Sequence, residues 1–424
     1  MRIGSERMRD HDPYLSAPRF GGRNISPRMH GMINDIRDPL IVSDQLLTVH
    51  GRRDDDTTVF TLTSWAGHPE VRDSNNSSLS ADWVGVARSA IEARYGGTAL
   101  HLAECLGGMQ SALGGDLPRV LEDGTHVYQE CDAGAVADDT DAGCYGKAAG
   151  DRRTDELGDD VPAWAERSSW DFVTSHGWLI ADAAIDVLEN DAEEISLTPM
   201  RIEVESLWVA IENLAYQVLG PSGIFDLGLD DAIASPALCP EAAAGTAPGC
   251  IETRTFRLRL GPLGLITAPG ELLPELAWGL PTDDPLWVTE RDDPAARGPD
   301  SRYFPQHDAD CNALTWADCK NAESVGDCNC LSLHAWPYTI SYDPTVPPLL
   351  DLLDPAETPY RAIVGMADNY LSYIIPEPDF NTSVSLLSDN DGDHYEDTVS
   401  PASAFATRLQ AAQLAIAERW QGDP

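Results

Sequence analysis

Apolar residues recur along this chain with two different spacings, which predict strands and helices that follow one another. Alternating or continuous apolar runs predict strands over 40–50, 59–65, 99–103, 201–207, 255–260, 265–267 and 361–366. Apolar residues at helical spacing predict helices over 82–94, 169–189 and 402–420. Gly261-Pro-Leu-Gly264 predicts a hairpin turn between two of the strands. The succession indicates an α/β fold, with layered mixed β-sheets flanked by helices.

Polar segments interrupt these elements and predict long loops. Residues 1–32 are aperiodic and rich in Arg, Gly, Pro and Met, so we expect an irregular N-terminal remnant there. Residues 33–424 hold the periodic elements and predict a single domain, with loop insertions at about 113–165, 236–253, 281–345 and 384–394. Aperiodic loops of this length are usually functional or decorate the surface.

The charge of the chain excludes some classes of partner. It has 70 Asp and Glu residues against 28 Lys and Arg, which gives a formal net charge of −42 at pH 7. Such a surface repels nucleic acid and anionic membranes. Because no stretch of about 20 apolar residues is present, the sequence predicts no transmembrane segment. It carries no signal for a particular oligomeric state.

Eight of the nine cysteines fall in the predicted loops. Cys131 and Cys144 bracket one loop, and Cys239 and Cys250 bracket another, so we expect each pair to form a disulfide. Two further bonds are expected among the cysteines of a third loop, which are Cys311, Cys319, Cys328 and Cys330. A zinc cluster is the alternative for those four, although they lack two separated Cys-x-x-Cys motifs. Cys105 lies on an apolar strand and is expected to be reduced and buried.

Disulfides that close short loops are typical of an oxidising compartment, so the cysteines predict an extracellular or periplasmic protein. The N-terminal residues, Met1-Arg-Ile-Gly-Ser-Glu-Arg7, are charged and lack the apolar core of a signal peptide. These two observations disagree if the sequence is read as a complete exported protein.

Several segments carry residues that suit a hydrolytic metal site at the ends of strands. In chain order they are Ile33-Asn-Asp-Ile-Arg37, Ala66-Gly-His68-Pro, Ser80-Ala-Asp82, Leu106-Gly-Gly-Met-Gln110, Ala268-Pro-Gly-Glu271, Asn369-Tyr370-Leu-Ser-Tyr373 and His394-Tyr395-Glu396. Together they resemble the catalytic domain of the neutral/alkaline ceramidases, zinc amidases that cleave N-acyl sphingoid bases. The resemblance covers about residues 33–410, and its specificity lies in the order of the motifs.

The resemblance implies a zinc (Zn²⁺) site and assigns its ligands. It implies that His68, Glu271 and Tyr373 bind the metal, which in such sites polarises a scissile carbonyl or lowers the pKa of bound water. It further implies that Arg37 contacts the amide group of the substrate. Tyr395 resembles a family tyrosine near the reacting centre, which could donate a proton to an oxyanion.

The glycine turn departs from the family pattern at the nucleophile. The family has Gly-Asp-Val-Ser-Pro there, and this chain has Gly107-Gly-Met-Gln110-Ser111. Gln110 therefore stands at the serine position, and Ser111 follows it. Either Ser111 is the nucleophile in a different turn, or metal-bound water attacks directly, or the protein is not an amidase.

The resemblance begins late, because the family's first segment and its zinc-binding histidine have no counterpart here. It implies that this sequence lacks its natural N-terminal portion, which also accounts for the missing signal peptide. We therefore expect weak zinc binding and an unpaired sheet edge next to the strand that leads to His68.

A separate acidic segment predicts a calcium (Ca²⁺) site. Asp389, Asp391 and Asp393 alternate with Asn and Gly, as in the first half of a calcium-binding loop. An EF-hand would need a glutamate where Ser400 stands, so the expected site is a single turn. A solvated acidic turn is the alternative.

Three functions are consistent with these features. The leading interpretation is a zinc-dependent hydrolase of a C–N amide bond, with a small-molecule or lipid amide as substrate. The first alternative is a non-catalytic secreted protein that binds calcium or another ligand on the same scaffold. The second is an unrelated metallohydrolase with other ligands, for instance His307 or His334. The observation that separates them is whether His68, Glu271 and Tyr373 meet around one point.

Overall fold

The computed structural model of the protein describes most of the chain in separate segments. They are residues 1–7, 33–34, 37–38, 43, 45–73, 76–111, 117, 119–126, 165–166, 168–219, 237–279, 324–325, 328–329, 338–339, 346–380 and 395–422. The predicted Cys131–Cys144 pair and Cys311, Cys319 and Cys330 lie outside these ranges. Of Cys328 only the backbone is described.

Seventeen strands run through the described residues. In chain order they are β1 (Arg2–Arg7), β2 (Ile33–Asn34), β3 (Arg37–Asp38), β4 (Gln45–Arg52), β5 (Thr58–Trp65), β6 (Thr98–Ala103), β7 (Gln110–Ser111), β8 (Glu193–Glu194), β9 (Met200–Ala210), β10 (Cys250–Leu260), β11 (Leu263–Thr267), β12 (Glu271–Leu272), β13 (Ser324–Val325), β14 (Cys328–Asn329), β15 (Tyr338–Thr339), β16 (Tyr360–Val364) and β17 (Tyr373–Ile374).

The described residues also form seven α-helices. They are α1 (Asp82–Tyr95), α2 (Trp170–Asp186), α3 (Leu214–Leu219), α4 (Pro240–Ala244), α5 (Pro274–Trp278), α6 (Tyr395–Val399) and α7 (Phe405–Gly422). A π-turn continues α2 over Val187–Asp191, and 3₁₀ turns span Leu349–Leu352 and Glu377–Asp379. The helices predicted over 82–94, 169–189 and 402–420 are therefore confirmed within a few residues. No helix in the described segments is long and apolar enough to cross a membrane.

The first sheet carries the segment that leads to His68. Its strand order is β6-β5-β4-β1-β8, and β5 and β6 run parallel because α1 connects them. The sequence-based expectation of an unpaired edge beside β5 is wrong, since β5 lies between β4 and β6 and pairs with both. The expectation that the N-terminus is irregular is also wrong for residues 1–7. All six residues of β1 pair with β4, and the buried side chain of Ile3 packs between the sheets.

The second sheet carries the segment that leads to Glu271. Its strand order is β16-β11-β10-β9. Strand β10 runs antiparallel to both β9 and β11, and β16 runs parallel to β11. The hairpin predicted at Gly261–Gly264 joins β10 to β11. The insertion expected over 236–253 ends earlier than predicted, because Cys250 already begins β10, and its described part contains α4 over Pro240–Ala244.

The two sheets pack face to face, and helices cover their outer faces. Ile3, Leu47 and Val49 of the first sheet form one buried cluster with Leu263 and Leu265 of the second. Trp65 and Ala99 pack on the other face of the first sheet against α1 and α2. Ile266 points away from its neighbour Leu265 and packs with Phe405 and Leu409 of α7. This confirms the predicted layered α/β fold with mixed sheets flanked by helices.

Two short pairings bring distant segments of the chain together near the ends of the large sheets. β12 pairs in parallel with β17, which places Glu271 opposite Tyr373. β7 pairs with β2, so the backbone of Ser111 lies opposite Ile33. These contacts gather the strand ends on which the sequence motifs fall.

Candidate metal centre

His68 lies on a loop that follows β5, and the start of α1 fixes this loop. The carboxylate of Asp82 accepts hydrogen bonds from the backbone amides of Val71 and Arg72, both at 3.2 Å. The indole Nε1 of the next residue, Trp83, donates to the backbone carbonyl of His68 at 2.9 Å. Both Asp82 and Trp83 are buried. The first residues of α1 therefore hold the backbone at the histidine and in the turn that follows it.

The ring of His68 is oriented by two contacts. Its Nδ1 lies 2.7 Å from the carbonyl oxygen of Met109, in the glycine turn after β6, and its Nε2 lies 3.0 Å from Oε2 of Glu271. A backbone carbonyl can only accept, so Nδ1 carries the proton and donates it to Met109. In the neutral ring Nε2 then presents a lone pair to a carboxylate oxygen. That approach is favourable only with a positive charge at Nε2, either a proton or a metal ion.

Glu271 reaches the site because two glycines allow close packing around it. A Cβ on Gly270 would lie 2.1 Å from the carbonyl oxygen of Ser372, and a Cβ on Gly107 would lie 2.7 Å from the carbonyl oxygen of Glu271. The amide of Gly107 also donates to the carbonyl of Leu272 at 3.0 Å. The glycine turn after β6 is thus packed directly on β12, and only a residue without a side chain fits at either position.

Two tyrosines complete the surroundings of the carboxylate. The hydroxyl of Tyr370 donates to Oε1 of Glu271, the oxygen that does not face His68. Tyr373 lies opposite Glu271 in the β12–β17 pair, and its hydroxyl also hydrogen-bonds that carboxylate. The structure therefore brings His68, Glu271 and Tyr373 together. It also adds Tyr370, a residue of the same motif to which the sequence assigned no role.

The protonation states follow from this geometry. Although burial favours the neutral forms of both groups, their mutual hydrogen bond raises the pKa of His68 and lowers the pKa of Glu271, with help from Met109 and Tyr370. Burial and the bond to Glu271 raise the pKa of Tyr370. Without a metal these contacts favour an imidazolium–carboxylate pair, and Tyr370 stays a protonated donor.

The donor set fits zinc. An imidazole nitrogen, a carboxylate oxygen and a phenol are ligands that zinc accepts. Two atoms that each bind a tetrahedral zinc at about 2.0–2.1 Å lie roughly 3.3 Å from each other, and His68 Nε2 and Glu271 Oε2 are 3.0 Å apart. Within the described segments, no third histidine, cysteine or acidic side chain has a ligand atom close to these two.

A second group of potential ligands lies at the start of β10. Sulfur atoms of Cys239 and Cys250 and a carboxylate oxygen of Glu241 lie within 4.8 Å of one another. The two cysteines are joined by a disulfide, which confirms the predicted pairing and removes the thiolates a metal would need. Glu241 instead pairs with Arg408 at 2.7 Å. Cys105 is free and buried, as predicted.

The remaining sequence-based candidates are described only in part. Arg37 lies in β3, whose backbone pairs with Tyr338–Thr339, and Ser111 lies in β7; for both, the side chain lies outside the description. Tyr395 begins α6, and its side chain is likewise not described. The other candidates fall wholly outside the described residues, namely Asp389, Asp391, Asp393, His307 and His334. Their roles stay predictions.

Comparison with known proteins finds similar solved structures. No family model and no curated protein matches the sequence. Among solved structures, neutral ceramidase from Pseudomonas aeruginosa is similar, with a TM-score of 0.44 and 11% identity over 98% of this chain and 52% of that chain. A ceramidase complexed with C2 is similar at a TM-score of 0.43 and 12% identity, over 99% of this chain and 54% of that chain. The chain spans about half the length of both structures, and likeness at this level assigns no activity.

Proposed function

We propose that this protein is a zinc-dependent hydrolase of a C–N amide bond, with His68, Glu271 and Tyr373 as metal ligands. One observation carries the proposal. Nδ1 of His68 is committed to the carbonyl of Met109, which leaves the lone pair of Nε2 3.0 Å from the carboxylate of Glu271. A buried imidazole and carboxylate arranged in this way form a site for a cation.

Each residue of the centre has a defined task in this proposal. Zinc, when bound, polarises a carbonyl group and lowers the pKa of a bound water. His68 presents Nε2, because the bond from Nδ1 to Met109 fixes both its tautomer and its ring plane. Glu271 presents Oε2, while Tyr370 occupies Oε1. Tyr373 brings a third ligand atom, its phenol oxygen, to the same carboxylate and hence to the same point.

Other parts of the reaction are assigned to residues for which the motif order gives the support. We assign substrate-amide binding to Arg37 and proton donation to an oxyanion to Tyr395. Ser111 is the candidate nucleophile; it stands two residues after Met109, whose carbonyl anchors His68. The alternative, attack by activated water, needs no serine. Calcium at Asp389, Asp391 and Asp393 would fix the segment that precedes Tyr395.

The proposed substrates are linear N-acyl amides, with N-acyl sphingosine as the first to test. The order of the motifs from Arg37 to Tyr395 supports this class. An extracellular or periplasmic location is proposed as well, and the buried Cys239–Cys250 disulfide supports it.

The test is metal analysis and an amidase assay on the same preparations of the full chain. We expect zinc in the wild type and release of fatty acid from an N-acyl sphingosine. His68→Ala and Glu271→Gln should each lose zinc and at least about 100-fold in rate. His126→Ala is the matched control, because Nε2 of His126 faces Asp182 at 2.7 Å in a similar pair on a partly exposed surface. It should keep both properties.

Two results would decide against the proposal. Wild-type protein that binds no zinc in a chelator competition would remove the metal function. Protein that binds zinc through His68 but cleaves no amide in a panel of acyl chains would support the non-catalytic binding protein on the same scaffold.

A further inference from the structure

The segment that carries Tyr370 has an unusual backbone. Four of its residues have positive φ angles, namely Met366 at 53°, Asp368 at 55°, Tyr370 at 38° and Ser372 at 68°. This region is unfavourable for residues with a Cβ, and a bulky aromatic residue occupies it rarely. Such a conformation persists only where surrounding contacts hold it. The segment must therefore be fixed from outside.

Backbone hydrogen bonds fix part of the segment to the turn before Glu271. The amide of Met366 donates to the carbonyl of Gly270 at 3.0 Å, and the amide of Leu371 donates to the carbonyl of Pro269 at 2.8 Å. The amide of Glu271 donates in return to the carbonyl of Ser372 at 2.8 Å. These bonds place the backbone of Glu271, and other contacts hold the middle of the segment.

Side chains and backbone groups of β10 hold the middle of the segment. The carboxylate of Asp368 accepts from Nη2 of Arg254 at 2.8 Å and from the amide of Arg254 at 3.1 Å. The amide oxygen of Asn369 accepts from the hydroxyl of Thr253 at 2.5 Å. Its nitrogen donates to the carbonyl of Glu252 at 3.2 Å. Thr253 and Arg254 on β10, with Asp368 and Asn369, form what we call the β10 clamp.

Tyr370 follows directly after Asn369, the last residue of the β10 clamp. The side chain of Asn369 is bonded to β10, which sets the direction of the backbone at the next residue, Tyr370. The hydroxyl of Tyr370 then lies at Oε1 of Glu271. With Oε1 occupied, the carboxylate cannot rotate freely about its last torsion. Oε2 is then the oxygen that faces His68.

We propose that Tyr370 is a positioning residue for Glu271, and that the β10 clamp holds Tyr370 in this role. This inference rests on the proposed zinc function. Tyr370 restricts Glu271 to one oxygen directed at the metal. The clamp fixes the backbone of Tyr370 to the second sheet. Partners that orient a metal ligand in this way change metal affinity by about 10–100-fold when they are removed.

The first measurement is zinc affinity of the full chain, by competition with a chromophoric chelator. Tyr370→Phe removes one oxygen and is expected to weaken zinc binding about 10–100-fold. Asp368→Asn should also weaken zinc binding. The matched control is Tyr360→Phe, because the hydroxyl of Tyr360 also donates to a glutamate, Glu193, at 3.1 Å and far from the site. It should leave the affinity within about twofold of the wild type. Thermal unfolding midpoints of the variants show whether each remains folded.

The second measurement uses metal-free protein and follows amide hydrogen exchange over residues 366–374. Asp368→Asn should speed exchange there by about tenfold, because the positive-φ segment loses its hold on β10. The control is Asp351→Asn, which removes a carboxylate facing Arg361 at 3.8 Å on another surface. It should not change exchange in this segment.

The outcomes separate the two proposals. If Tyr370→Phe binds zinc as tightly as the wild type, the positioning role is wrong while the zinc site stands. If Asp368→Asn leaves exchange unchanged, the β10 clamp is wrong. A wild type with no affinity for zinc overturns the proposed function and the role of Tyr370 with it, and the exchange measurement then decides the clamp alone.

Discussion

The imidazole of His176 lies parallel to the indole of Trp83, with ring centroids 5.1 Å apart and 15° between the planes. His176 is fully buried, and neither ring nitrogen has a hydrogen-bond partner in the described part of the chain. A second, half-buried histidine, His101, lies edge-to-face with the same indole, with ring centroids 5.0 Å apart and 77° between the planes. Trp83 also holds the carbonyl of His68. The tryptophan that holds the carbonyl of His68 thus packs against two histidines, and burial favours the neutral form of both.

These histidines predict acid instability. Burial lowers the pKa of His176 to about 3 and that of His101 to about 4, from the ordinary 6.5. Between these values and 6.5 the unfolded chain binds more protons, so stability is complete above pH 6.5 and falls as the pH decreases. At pH 5 each histidine should cost about 2 kcal/mol. Urea unfolding at pH 7.5 and pH 5.0 measures the loss.

His176→Phe keeps a ring against Trp83 and removes the titration. We expect the difference in unfolding free energy between pH 7.5 and pH 5.0 to shrink by about 2 kcal/mol in this variant. An unchanged difference would show that His176 does not contribute to acid instability.

The net charge of −42 predicts that salt stabilises the protein. Excess like charge destabilises a compact state by self-repulsion, and raising the ionic strength from 0.1 to 1 M shortens the screening length from about 10 Å to about 3 Å. We expect the thermal midpoint to rise by several degrees between 0.1 and 1 M NaCl. Sucrose at matched osmolality is the control for effects other than screening. A midpoint that is flat or falls with salt would refute this prediction.

Gly270→Ala adds only one methyl group, but it should disturb the candidate site strongly. The added Cβ would lie 2.1 Å from the carbonyl oxygen of Ser372. Strands β12 and β17 must therefore separate, which increases the distance between Glu271 and Tyr373. We expect a loss of about 2 kcal/mol or more in unfolding free energy, together with weaker zinc binding. Gly85→Ala is the control, since its Cβ meets only the Cβ of Ala81 at 3.1 Å within α1. That change should be neutral or slightly stabilising.

The Cys239–Cys250 disulfide closes a loop of 11 residues at the start of β10. A loop of this length predicts that the bond contributes about 2–3 kcal/mol, chiefly by restricting the unfolded chain. Cys239→Ser with Cys250→Ser should lower the urea midpoint accordingly, and a reductant should reproduce the shift in the wild type. If neither treatment moves the midpoint, the bond has no role in stability.

Cys105 should resist alkylation in the native protein. It is fully buried, and burial together with nearby carboxylates raises the pKa of its thiol, so little thiolate is present or accessible. Mass spectrometry after iodoacetamide treatment should find it unmodified under native conditions and modified in 8 M urea. Labelling at the native state would place the thiol at the surface.

The sequence by itself determined the features that depend on neighbours along the chain. The helices at 82–95 and 405–422, the hairpin through Gly261 and the disulfide across 11 residues all follow from local spacing. The amphipathic pattern selects a helix or a strand and buries one face of it, so these elements required no knowledge of the whole fold. The motif order also pointed to His68, Glu271 and Tyr373 as residues of one site.

Tertiary structure decided what depends on distant partners. His68 and Glu271 are 203 residues apart in sequence, and only the packing of the two sheets brings them to 3.0 Å. The proton on Nδ1 of His68 is set by the carbonyl of Met109, and a backbone oxygen leaves no signature in a sequence. Strand β1, Arg2–Arg7, has Ile3 as its one large apolar side chain, so pairing with β4 forms it rather than its own pattern. Tyr370 contacts Glu271, and its neighbour Asn369 bonds to β10, whose residues lie more than 110 positions earlier in the chain.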